Sequence, residues 1–189
     1  MKRCDWVSGD IHTKYHDTEW GTPLHNDRKI FEFLILDAMQ SGLSWRIVLN
    51  KRKSFQKAFD NFDAKKISKY SSSDVKRLLA DDRIIRNKRK IDSAINNAKV
   101  FLETKKEFGK FDTYIWSFTD YQTIINRFKN WDEIPATSKE SEEMSRDMKS
   151  RGFTFVGPTV CYAFMQTVGM VNDHVVGCFR KKELMSISG

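Results

Sequence analysis

Apolar positions recur along most of the chain with the spacing of buried helix faces. Phe31, Leu34, Ile35 and Ala38 follow i, i+3, i+4, i+7 and predict a helix over Phe31–Met39. After a break at Ser41-Gly42-Leu43, Ser44 is placed to cap a second helix, Trp45–Phe59, whose buried face carries Ile47, Val48, Phe55 and Phe59. Ser71-Ser72-Ser73-Asp74 opens a helix of about two turns, Val75–Ala80, with the serines as cap candidates. A long amphipathic helix runs from about Lys88 to Glu107 and closes near Gly109, with Ile91, Ala94, Ile95, Ala98, Phe101 and Leu102 on one side. Thr113–Phe118 is a short aromatic segment. Thr137-x-x-Glu140 then resembles a capping box leading into a helix with Met144 and Met148 inward. Pro158 suits the first position of a helix over Thr159–Val168, where its missing N–H would be unpaired anyway, and Gly169 ends it. The first 26 residues show no such period and read as irregular, and nothing alternates as a strand does. The expected class is all-α.

At 189 residues the chain can build one good core, and we expect a single domain over 1–189. With 14 Phe and 5 Trp that core should be rich in rings. No apolar run approaches the ~20 residues that span a bilayer, and Met1–Trp6 has no apolar signal region, so a cytoplasmic, nucleoid-associated bacterial protein is expected. The net charge of +8 suits a polyanionic partner. Arg83, Arg86, Lys88, Arg89 and Lys90 form a run that suits either a solvated helix start or a groove for a DNA backbone. Three separated cysteines make no disulfide framework and raise the question of a metal site or a buried thiol.

Four groups of residues could carry chemistry. Asp37 lies beside a buried face, where a lone carboxylate is costly unless satisfied, and Trp45 stands across the short connection from it. With Trp6, Tyr15 and Trp20 these two would make a box that stacks on a flat cationic ring and accepts its N–H donors; singly, each aromatic suits a core equally well. Cys4 and His16 near one end, with His174 and Cys178 near the other, make a closed tetrahedral zinc set that would clip the two ends together. His174 and Cys178, four apart, would share a face if helical. The plainer alternative is buried thiols and solvent histidines, and Cys161 belongs to the core. Finally, Gly152–Gly157 between two helices, preceded by Lys149 and Arg151, either presents backbone N–H groups to a phosphate or simply turns the chain.

Assembled, these blocks resemble the 3-methyladenine DNA glycosylase I (Tag) family of the helix-hairpin-helix glycosylase superfamily. The likeness rests on Arg3-Cys4-x-Trp6, Tyr15-His16-Asp17-x-Glu19-Trp20-Gly21, Gly42-Leu43-Ser44-Trp45, Arg151-Gly152-Phe153-x-Phe155-Val156-Gly157 and Val171-Asn172-Asp173-His174, and covers nearly the whole chain. It implies a helix-hairpin-helix fold whose terminal segments are joined by structural zinc on Cys4, His16, His174 and Cys178. It implies a monofunctional glycosylase that flips out and hydrolytically removes an alkylated purine, foremost 3-methyladenine, from double-stranded DNA. Trp45 would stack on the base, Tyr15 make a polar contact to it, and Trp6 and Trp20 close the pocket. Asp37 would be the catalytic and base-reading carboxylate. Gly42 and Leu43 would probe the gap in the stack, and Gly152, Phe155 and Gly157 would grip the backbone. The family implies neither an obligate protein partner nor a membrane, and a monomer is expected.

Two positions depart from the family pattern: Asp37 where glutamate is usual, and His12 where tyrosine is usual. The shorter side chain gives up roughly 1.5 Å of reach. Two other readings therefore stand beside the enzyme, a lesion-binding protein without catalysis and a zinc-stabilised helical module for protein or RNA. A glycosylase for a different alkylated base is also open.

Overall fold

Capping side chains set where half of the helices begin in the computed structural model, which describes residues 1–187. Helix α1 spans Gly9–Thr18, within the stretch expected to be irregular. Its inward positions are Tyr15 and His16, ring side chains rather than aliphatic ones, which is why no apolar period marked it. Helix α2, Asp27–Gln40, starts a turn earlier than its apolar pattern, because Asn26 Oδ1 accepts the Lys29 N–H at 3.1 Å. The chain continues through α3 (Trp45–Ala58), α4 (Ala64–Ile67) and α5 (Ser72–Ala80), the last opened by a Ser71–Asp74 capping box. At α3, Ser44 holds the N-cap position without the expected side-chain bond. Ile47, expected on the buried face, is exposed because Val48, Leu49, Phe55 and Ala58 make up the inward face. Asn87 caps α6 (Lys88–Phe108), which stops at Gly109 with φ 78°; α7 (Phe111–Trp116) follows. Helix α8, Lys139–Ser150, is capped by Ser138 and Ser141 rather than Thr137 and Glu140. The Ser141 hydroxyl accepts the Ser138 N–H at 2.8 Å, so the reciprocal box is shifted one residue along. Pro158 opens α9 (Pro158–Thr167), and α10 covers Phe179–Ile187.

Two strands of two residues each, β1 (Ile124–Ile125) and β2 (Val171–Asn172), pair in parallel. They are too short for alternation to appear in the sequence. The fold is otherwise helical.

Helix α2 is the central element: every residue from Ile30 to Met39 is buried. It packs against α3, α6, α7 and α9. Phe31 meets Phe101 of α6 at 4.8 Å between ring centroids, and Phe101 meets Phe111 at 4.4 Å. Each such side chain contributes about 1.5–3 kcal/mol on burial. Two polar residues of α2 are enclosed with the apolar ones. Glu32 accepts from Arg52 Nε at 2.7 Å, while the same guanidinium reaches Glu19 at 2.7 Å. Asp37 receives no such partner.

Gly169, just beyond α9, has φ +77°, and a Cβ there would lie 2.4 Å from the backbone of Thr22 and Pro23. Gly109 has φ +78° but open space around it. Gly169→Ala should therefore destabilise the fold by roughly 2–5 kcal/mol, left-handed strain plus overpacking, and Gly109→Ala by roughly 1 kcal/mol from strain alone. Urea midpoints of the two variants test this; equal midpoints would refute the close approach.

Candidate active site and cysteine–histidine cluster

The last turn of buried α2 meets α1, the start of α3 and the end of α9 around a cavity of about 280 Å³. That is room for a single base-sized ring system, at the small end of ligand cavities. All five residues of the expected box line it: Trp6, Tyr15, Trp20, Asp37 and Trp45. Tyr15 and Trp45 have ring centroids 5.5 Å apart, and Trp6 stands edge-on to Trp20 at 5.2 Å. His12 also lines the cavity, edge-on to Trp6 at 5.5 Å.

Asp37 is 2% exposed, and burial pushes its carboxyl well above the usual carboxylate range. Its Oδ2 has no hydrogen-bond partner. Burial, then the charge of Arg46, hold the His12 imidazole below its ordinary value, so the ring is neutral. Burial and then the charge of Asp37 raise the Tyr15 phenol. Its hydroxyl donates to Thr167 Oγ1 at 3.1 Å, so the tyrosine is already held by α9 and offers the cavity mainly its ring.

Among the described residues, seven buried side-chain nitrogen or oxygen atoms lack a hydrogen bond, and five of them belong to this cavity: Trp6 Nε1, both His12 nitrogens, Asp37 Oδ2 and Trp45 Nε1. Buried polar groups are normally paired, and leaving one unpaired costs about 1–3 kcal/mol. Such a concentration at one aromatic-walled cavity is what a polar, flat ligand would satisfy.

Sequence reading missed Trp131, Gln40, Ala163, Gln166 and Thr167 in the wall. Trp131 sits in a short turn within a polar connection and carries no periodic signal; its ring lies 6.0 Å from Trp6 and 6.2 Å from Trp20 at the rim. Gln166 is fixed by a second network, donating to Asp173 Oδ2 at 2.8 Å beside Tyr162 at 2.7 Å. A glutamine in an otherwise apolar helix was the available hint.

A second cluster lies behind Trp20. One ligand atom from each of Cys4, His16 and Cys178 falls within 4.8 Å of the others, all three residues buried. His174 adjoins them, its ring 4.9 Å from that of His16. The expectation that His174 and Cys178 share a helix face is corrected: residues 173–178 form a turn ahead of α10. The Cys178 N–H donates to Val175 O at 2.8 Å, and this turn brings the side chains together.

The protonation states and orientations suit a metal. His16 Nδ1 pairs with Asp17 Oδ1 at 2.7 Å, and Asp17 is gripped by Arg3 at 2.7 Å, which leaves His16 Nε2 facing the cysteines. His174 Nδ1 pairs with Asn172 Oδ1 at 3.1 Å, and its buried Nε2 is orphaned. Burial, then His16, lower the His174 pKa to about 3, keeping it neutral. Hydrogen bonding with Cys4 is the largest effect holding Cys178 down to about 4, and it pushes Cys4 up. The pair thus shares a proton. A neutral imidazole and a thiolate are the forms that bind metal. Cys161 stands apart in the core, its thiol pushed up to about 12 by burial.

Two connections carry the residues expected to meet DNA. Residues 41–44 join α2 to α3, with Gly42 at φ +78° and Leu43 37% exposed. Residues 151–157 join α8 to α9, with Gly152 at φ +97° and Phe155 at φ 56°. In this hairpin the N–H groups of Gly152, Phe153 and Thr154 are already bonded, to Lys149 O, Met148 O and Asn97 Oδ1. The basic run is mixed. Arg83 pairs with Asp81 and Lys88 with Asp92, and Lys90 is buried against backbone carbonyls, correcting its reading as a surface cation. No helix among the described residues is long and apolar enough to cross a membrane.

A model of the methyladenine glycosylase family matches residues 6–181. DNA-3-methyladenine glycosylase 1 of Escherichia coli (strain K12) is 43% identical over 179 residues, 94% of this chain and 96% of that one. The crystal structure of a 3-methyladenine DNA glycosylase I superposes with a TM-score of 0.92 at 44% identity, covering 94% of this chain and 98% of the other. A structure describing 3-methyladenine recognition by the Staphylococcus aureus glycosylase I gives 0.92 at 26% identity, with 96% and 97% covered. The chain belongs to the methyladenine glycosylase family.

Proposed function

We propose that the protein removes 3-methyladenine from DNA as a monofunctional glycosylase of base-excision repair, with the cavity around Asp37 as its base pocket. The observation that carries this is the set of unpartnered polar atoms in an aromatic box, in a chain that aligns along nearly all its length with DNA-3-methyladenine glycosylases.

N-alkylation places a positive charge on the purine. Aromatic faces at Trp45, Tyr15, Trp6 and Trp20 attract that charge, and Asp37 answers it directly. Burial alone favours protonated Asp37; a cationic base restores the carboxylate by supplying a counter-charge. A neutral adenine supplies none, and this difference selects the lesion. When the glycosidic bond breaks, its electron pair goes to the base nitrogen and cancels the positive charge there. The base therefore leaves neutral without being protonated. Water adds to the sugar carbon and releases its proton to solvent. Asp37 stabilises the cationic base as it is drawn from the stack, a step costing a few kcal/mol.

In this reading Leu43 and Gly42 probe the gap left in the duplex. Helices α8 and α9 with residues 151–157 form the helix-hairpin-helix element. The N–H groups of Phe155 and Gly157, at the N-terminus of α9, would meet a phosphate, and Gly152 supplies the turn. Zinc on Cys4, His16, His174 and Cys178 is structural: four protein ligands leave no open position for chemistry, and the ion would hold the start of the chain to the segment before α10.

The direct test incubates the protein with methylated duplex DNA and identifies the released bases. Release of 3-methyladenine is expected. Binding to the damaged duplex without release would replace the enzyme by a non-catalytic lesion binder. In parallel, free 3-methyladenine should quench tryptophan fluorescence, because Trp6, Trp20, Trp45 and Trp131 all line the cavity. No quenching at millimolar base would argue against the pocket.

A further inference from the structure

Lys90 is 6% exposed although it stands in the first turn of α6, within the most basic stretch of the sequence. Its ammonium donates to Met39 O at 2.8 Å and to Ser41 O at 2.5 Å. These carbonyls belong to the end of α2 and to the first residue of the 41–44 connection. Helix ends leave carbonyls unsatisfied, and α2 carries no basic residue in its own last turn. Lys90 supplies from another helix what α2 lacks.

Further along the same stripe of α6, at the i+3 and i+7 positions, Ser93 and Asn97 hold the other connection. Asn97 Nδ2 donates to Thr154 O at 2.9 Å and its Oδ1 accepts the Thr154 N–H at 2.9 Å. Ser93 Oγ accepts from Thr154 Oγ1 at 2.8 Å, and neighbouring Asn96 donates to Gly152 O at 2.8 Å. One face of one helix thus anchors both loops. Lys90 and Asn97 are separated along the axis by roughly 10 Å, which is about three base-pair steps of duplex.

We propose that α6 is the spacer that fixes the 41–44 connection relative to the 151–157 hairpin, and that Lys90 is a positioning residue for excision. By holding Met39 O and Ser41 O it sets where Leu43 enters the duplex relative to the phosphates gripped by the hairpin. This rests on the glycosylase reading above and adds a residue that acts through backbone, without touching base or phosphate. A buried ammonium bonded to two carbonyls is not available to a phosphate, which separates Lys90 from exposed cations that bind DNA by charge.

The test is a double-mutant cycle of Lys90→Met and Leu43→Ala, read as single-turnover base release and as the Kd for a duplex containing an abasic-site analogue. Each single variant should slow release and raise Kd by about tenfold, within the loss of up to about 10²-fold that a misplacement of about 1 Å can cause. The double variant should fall no further than the worse single one, because both act through one loop. Lys90→Arg, which keeps charge and donors, should recover most of the loss. The slope of log Kd against log salt should not change in Lys90→Met; a slope reduced by about one ion would make Lys90 a phosphate contact and overturn the proposal. Multiplicative losses in the double variant, or a Lys90→Met protein with native rate and affinity, would overturn it as well. Should Lys90→Met fail to fold, Lys90→Gln, whose amide can still donate to one carbonyl, takes its place in the cycle. A native protein that neither releases base nor binds the duplex would fail at the glycosylase reading itself, and a native protein that binds without release still allows the cycle to be read in Kd.

Discussion

Asp37→Asn should abolish most base release and at the same time make the protein more stable. The loss of activity follows from removing the only carboxylate in the cavity wall among the described residues. Deleting one preorganised electrostatic partner of a developing charge costs about 10²–10³ in rate. The gain in stability follows from the same burial. The folded-state pKa of Asp37 lies above that of the unfolded chain, so between those two values the folded protein binds more protons than the unfolded one. Stability from this group is full below the unfolded value, near pH ~4, and is lost as pH rises toward the folded value. Asparagine does not titrate. At pH 7 the variant should exceed the native protein by about 1.4 kcal/mol for each pH unit separating the unfolded value from the folded value or from pH 7, whichever is lower. The two melting curves should converge near pH ~4. Thermal melts between pH 4 and 8, run beside base-release assays, check both halves. Equal stability at pH 7 would mean Asp37 has a partner in solution; an active variant would remove it from the chemistry.

On the proposed zinc site, removing the metal should produce the other large effect. With free metal near ~1,000 times its Kd, a bound ion adds about 4 kcal/mol to the folded state. For a protein of this size each kcal/mol is worth about 2–4 °C, so chelation should lower Tm by roughly 8–16 °C. Cys178→Ser should match the chelated protein and contain less metal. Cys161→Ala serves as the control that keeps its zinc, because that thiol is buried elsewhere in the core. Melting temperatures paired with metal analysis decide it. An unchanged Tm after verified metal removal would leave the four residues as a hydrogen-bonded cluster only.

Trp6, Tyr15, Trp20, Asp37 and Trp45 of the pocket were legible because each lies in a short block of unusual composition: the aromatics before α2, Asp37 at the end of its apolar run, and Trp45 just after the Gly42 break. Helices α2, α3, α6 and α9 were legible from apolar period and caps. Other features had no local signal. The inward face of α1 is built from rings that also serve the cavity and the cysteine–histidine cluster, so its pattern is set by the site and not by a core. Trp131 reaches the rim from a polar connection whose path is fixed by Asn130 and Glu133 bonding locally. His174 and Cys178 come together through a turn, where spacing in sequence says little about spacing in space. Lys90 is the clearest case: among neighbouring cations, nothing in the sequence separates the one that is buried, since its partners are backbone carbonyls about 50 residues away.

The anchoring of two loops on one face of α6 also limits how this segment can change length. One residue inserted between Lys90 and Asn97 would turn everything beyond it by about 100° and advance it about 1.5 Å. The bonds to Ser41 and to Thr154 could not then both survive, whichever residue was added. An insertion in the connection between β1 and α8, away from these bonds, carries no such rotation. Within α6, a change of length is a change of geometry, and this stretch should tolerate substitutions far better than insertions or deletions.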